Sequence, residues 1–160
     1  GQPELAWRLA RREAYDALSA LVQATGRALV EPRAVRPPMA ALEQLQGHGY
    51  QLLGQLSAIQ SILLLRRQRL VLADVTAPLA DTAQAVGQAL ELDQPWHVRS
   101  SDIPRDPSLP ERLSAIPENL PDPFAPNTNA WLLRRLHLAE DLAAHVRADA
   151  LRVIGPAAAP

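Results

Sequence analysis

Apolar residues recur at steps of three and four along most of this chain. From Leu42 through Leu45, Gly49, Leu52, Leu56 and Ile59 to Leu63 the alternation is unbroken, which is the seam of coiled-coil-like packing. Leu53 and Ile62 widen that seam toward the broader stripe of a globular core helix. The pattern predicts a helix over about 37–69. Upstream, Leu5, Leu9, Ala14, Leu18, Leu21, Val22, Thr25 and Leu29 predict a second amphipathic helix over about 3–30. Pro3 suits its first turn, where a missing N–H costs nothing. Pro32 ends it, because the residue before a proline avoids the α region. Each stripe needs a partner, so the two helices are expected to form an antiparallel hairpin around residues 31–38.

Two further helices follow. Val75, Leu79, Ala83, Val86 and Leu90 give the stripe of a helix over about 77–92, with Thr76 as N-cap and Pro78 in the first turn. Trp131, Leu138, Leu142, Val146 and Val153, with Leu132, Ala139 and Ala150, give one over about 128–153, closed by Gly155 and Pro156. Residues 94–127 are different in kind. Eight of the 15 prolines fall between Pro95 and Pro126, and no periodicity runs through them. One short helix over 108–116 fits there, and Trp96 and Phe124 are placed to pin the ends of the loop to the bundle. The expected fold is therefore all-α: a single domain over 1–160, an antiparallel up-down bundle of about four long helices with a Pro-rich loop. Inside the second helix, Gly47, Gly49 and Gly54 each cost about 1 kcal/mol relative to Ala. Close approach of a neighbouring helix is the expected compensation.

Composition supports the class and narrows the chemistry. The apolar fraction is 48% with only 4% aromatic, and it is dominated by Leu and Ala, strong helix formers. A net charge of −1 gives no electrostatic reason to expect nucleic acid as a partner. All 16 cationic side chains are Arg. With no cysteine, disulfides, thiolate metal sites and Cys nucleophiles are excluded. No apolar run approaches the roughly 18 residues that span a bilayer; the most hydrophobic stretch, Ser61 to Leu65, is closed by Arg66 and Arg67. A start at Gly1-Gln2 reads as a piece cut from a longer protein.

Three groups of residues invite a functional reading, and each has a plainer one. His137, Asp141 and His145 lie at i, i+4 and i+8, a spacing that places two imidazoles and a carboxylate along one side of a helix. His137 points almost opposite the apolar stripe, so a solvated face is the expectation. Arg33 and Arg36, with Arg66, Arg67 and Arg69, suit lipid headgroups; in a hairpin they fall at opposite ends, where they complement helix dipoles. His48 and Tyr50 flank Gly49 as polar lining for a cavity or as a buried pair satisfied by a carbonyl or water. No nucleophile–base pair, carboxylate pair or Gly-rich phosphate loop stands out. No catalytic, cofactor or metal residue is therefore assigned, no cofactor is expected, and the chain reads as non-enzymatic.

The run Arg11-Arg12-Glu13-Ala14-Tyr15-Asp16-Ala17-Leu18-Ser19-Ala20-Leu21, then Glu31-Pro32, Arg36-Pro37-Pro38 and the Leu-rich arm from Leu45 to Leu65, resembles the C-terminal cytoplasmic region of the fusaric-acid-resistance-like (FUSC) inner-membrane proteins. Trp131-Leu132-Leu133-Arg134-Arg135-Leu136 is similar to that region's last helix, and residues 94–127 lie outside the resemblance. The resemblance implies a bacterial exporter of aromatic acids or related compounds. This chain would be its cytoplasmic domain at the inner membrane, serving assembly or regulation, with the rest of its own membrane protein as partner and weak homo-oligomers in prospect. The alternative is a helical module that senses a small molecule, which requires a cavity lined by Arg or His beside apolar side chains.

Overall fold

A computed structural model describes residues 1–93 and 128–155. Four long helices carry the chain: α1, Gln2–Ala28; α2, Met39–Leu65; α3, Leu72–Leu90; and α4, Asn129–Ile154, with a short 3-10 turn at Arg67–Arg69 between α2 and α3. The all-α bundle is as expected from the periodicity. The short helix over 108–116 and the anchoring roles of Trp96 and Phe124 fall outside the described residues.

Hydrogen bonds between helices fix their directions. Thr25 on α1 meets Gln46 on α2, and Tyr15 meets Tyr50 with ring centroids 6.2 Å apart, so α1 and α2 are antiparallel. On α2 and α4, Gln44 pairs with Arg152 and Gln55 with Arg135, again antiparallel. Between α3 and α4 the order is the reverse. Asn129 meets Val71, Glu140 meets Thr82 and Arg147 meets Ala89, so these two helices run parallel. The first three helices alternate up, down, up; α4 follows the direction of α3.

The packing forms a row. α4 lies between α2 and α3, and α1 lies against α2. The core is accordingly built on α4. Leu132, Leu136, Ala139, Leu142 and Ala143 meet Leu52 and Ile59 of α2 and Val75, Val86 and Ala89 of α3. Leu132 and Val75 are 0% exposed. Burial on this scale contributes roughly 1.5–3 kcal/mol for each large aliphatic side chain. Leu56 is half-buried against the same cluster.

Among the helix boundaries that differ from the expectation, three have a tertiary reason. α2 stops at Leu65 rather than 69, because the chain turns through the 3-10 segment to place Leu70 in the core. The carbonyl of Arg69, freed by that turn, accepts the backbone N–H of Thr128 at 3.1 Å. α3 starts at Leu72 rather than 77. Thr76 is not its N-cap: its hydroxyl donates back to the carbonyl of Leu72 at 2.6 Å, and Pro78 lies inside the helix, leaving the Asp74 carbonyl without its backbone donor. Burial of Val75 and docking of the Val71 N–H onto Asn129 Oδ1 at 2.9 Å outweigh that local cost. α1 ends two residues early, at Ala28, and just past its end the carbonyls of Leu29 and Glu31 accept from Arg36 Nη2 at 2.7 and 2.8 Å.

Only one of the three central glycines in α2 is explained by close approach. A Cβ at Gly49 would lie 2.7 Å from Leu18 Cδ2, whereas Gly47 and Gly54 face open space. Gly155 closes α4 with φ +77° and ψ 170°, an extended positive-φ conformation that is essentially glycine's alone, and its N–H donates to the Leu151 carbonyl at 3.1 Å.

Candidate functional site

Two places on α4 gather polar side chains against α2. The first is a clasp near the C-terminal end of α4. Asp149 is 1% exposed although it is a carboxylate. Its Oδ2 accepts from His48 Nδ1 at 2.5 Å and its Oδ1 from Arg152 Nη1 at 3.0 Å. Arg152 also donates to Gln44 Oε1 at 3.0 Å. Beside it, the rings of His48 and His145 stand 4.9 Å apart at 54°, and His145 Nδ1 donates to the carbonyl of Asp141 at 2.6 Å. A buried carboxylate must be paired to be tolerated, and here both oxygens are.

A His–Asp pair of this kind fixes the imidazole tautomer and orients the ring, as in a general-base dyad. Chemistry also needs a group to deprotonate within reach. The His48 ring instead stands tilted against that of His145. The clasp holds α2 to α4 at the end of the hairpin near α4's C-terminus. His48 was legible as a polar group on α2, but its partner is Asp149 and not Tyr50. Tyr50 stands at the surface, tilted against Tyr15 with Arg11 5.5 Å above the Tyr15 ring. The i, i+4, i+8 set on α4 does not converge: His137 and Asp141 are exposed, while His145 turns inward. Among the described residues, no group of three or more His, Cys, Asp or Glu side chains is placed to hold a metal ion.

The second place is a cleft of about 490 Å³ where the end of α2 meets the start of α4. Ala58, Ser61, Ile62, Leu65 and Arg66 form one wall and Thr128, Trp131 and Arg135 the other. Its walls are apolar in the middle and carry two guanidinium groups. Arg135 donates to Gln55 Oε1 at 2.9 Å, a neutral acceptor. The buried indole N–H of Trp131 finds no acceptor among the described residues.

Sequence reasoning missed two buried charges, Arg147 and Asp149. Arg147 Nη1 donates to the carbonyls of Ala89 and Glu91 at 3.1 and 2.8 Å, with Gln88 at 3.4 Å. A cation from α4 thus closes the C-terminal end of α3, where the helix dipole favours it. Its place one residue from Val146, inside an apolar stripe, was the available signal.

No protein-family model, curated protein or solved structure matches this chain. No helix among the described residues is long and apolar enough to cross a membrane.

Proposed function

We propose that this chain is a non-enzymatic assembly domain, the cytoplasmic portion of an inner-membrane exporter of the FUSC type, acting by packing against further copies or the remainder of its own protein. The observation that carries this reading is the position of α1. It is 27 residues long, yet only Thr25 and Ala28 on it are buried, and α2 is its principal neighbour. Leu5 and Leu9 do not continue the α2-facing seam of Ala14, Leu18, Leu21 and Thr25, as the spacing suggested: each is 52% exposed, and by helical geometry they lie nearly opposite it. An amphipathic helix with a second apolar edge is what a docking element needs. The segments that resemble FUSC proteins begin on this same helix. A tether to the membrane would raise the local concentration of copies, so weak packing of α1 would count there and fade in dilute solution.

This region lacks cysteine, so once any cysteines elsewhere in the full-length protein are replaced by serine, a single Cys here is a unique probe. With Leu9→Cys in the native full-length protein, disulfide cross-linking between copies in membranes is expected, while Cys at the α2-facing Leu18 should stay unlinked. A reporter fused to the C-terminus should read cytoplasmic. A periplasmic signal, or equal cross-linking at both positions, would defeat the proposal.

A further inference from the structure

The cleft between α2 and α4 has the composition of a binding site for an organic anion, and this stands apart from any assembly role of α1. We infer that it takes a monocarboxylate with an unbranched apolar body. Two features argue for that class. Among the described residues, the polar lining consists of Ser61, Arg66, Thr128, Trp131 and Arg135, with no carboxylate. Arg135 is half-buried and donates to the neutral Gln55, and among the described residues its charge meets no carboxylate.

The rest of the lining sets the body of the ligand. Ala58, Ile62 and Leu65 follow one another along one face of α2, opposite Trp131. From Ala58 to Arg66 the helix rises about 12 Å, room for a slim chain rather than a bulky ring system. A carboxylate at a guanidinium gains charge-assisted hydrogen bonds, while the chain covers Ile62, Leu65 and the indole.

Calorimetric titration of the full chain with decanoate, decanol, decyltrimethylammonium and inorganic phosphate tests this. Decanoate is expected to saturate one site. Decanol should bind about tenfold more weakly, as loss of one charge-assisted contact requires. The cationic amphiphile and phosphate alone should give no saturable heat. Shortening the acid from decanoate to nonanoate and octanoate should weaken binding about fourfold per CH₂. Arg135→Gln should bring decanoate down to the level of decanol, and Ala58→Phe should fill the slot and abolish binding, with far-UV circular dichroism checking that each variant is folded. The inference is overturned if decanol or the cation binds as well as decanoate, if uptake shows many sites without saturation, or if no heat is seen. Because the ligand comparisons use the unaltered chain, they decide the matter even where a variant fails to fold.

Discussion

α1 and α4 are nearly equal in length, 27 and 26 residues, and both are amphipathic, yet they occupy opposite situations. α4 has eight buried residues and helices on two sides; α1 has two buried residues and one principal neighbour. The difference lies in what each seam carries. Ala139 and Ala143 are 0% exposed, and such small side chains let α2 and α3 close in on α4 together. α1 interleaves Arg8, Arg11, Arg12, Glu13 and Asp16 with its apolar positions, and Arg12 and Asp16 pair on its open surface at 3.8 Å, a contact worth little in stability. Amphipathicity tells which face of a helix is covered. It does not tell how many neighbours will cover it.

The sharpest way to break this contrast is truncation in each helix. Leu132→Ala should cost about 2–5 kcal/mol, toward the upper end because the site is fully enclosed. Leu9→Ala should stay within about 0.5 kcal/mol. Urea unfolding, read as a shift in midpoint at constant slope, measures both. Equal effects would mean that α1 is as much a part of the core as α4.

The polar ties of α4 come next. Asp149→Ala removes the acceptor of both His48 and Arg152 and should cost about 3 kcal/mol, within the range for hydrogen bonds to charged groups. Arg147→Met keeps the buried stem and removes the donor to the end of α3. A loss of about 2 kcal/mol is expected, with hydrogen exchange rising first in the last turn of α3. A uniform rise across all four helices would show that Arg147 acts on the bundle as a whole.

The smallest effects test the α1–α2 contact. Gly54→Ala, facing open space, should stabilise by about 0.5–1 kcal/mol through helix propensity. Gly49→Ala carries the same propensity gain but must displace Leu18, so its net effect should be smaller or reversed. Combining it with Leu18→Ala should remove that opposition. If Gly49→Ala alone stabilises as much as Gly54→Ala, α1 yields freely and its packing on α2 is looser than the 2.7 Å approach at Leu18 implies.

The candidate sites were legible only in part. His48 could be picked out on α2 and Arg66 at its end, because each is a polar group at a known place on a periodic helix. Asp149 and Arg147 could not be matched to their partners, since His48 and Asp149 are 101 positions apart and no spacing rule spans residues 94–127. The cleft was invisible for the same reason: Ala58 and Ile62 read as stripe residues until Trp131 and Arg135 face them.

By itself, the order of residues determined the class, the four helices and most of their ends. Those follow from local physics: the 3.6-residue period, proline's missing donor and glycine's freedom at Gly155. The tertiary structure alone decided that α4 sits in the middle of the row, that it runs parallel to α3, and that α3 begins at Leu72 ahead of Thr76 and Pro78. These outcomes depend on which apolar faces bury the most surface against one another. That sum is taken over contacts between distant segments, and no local signal carries it.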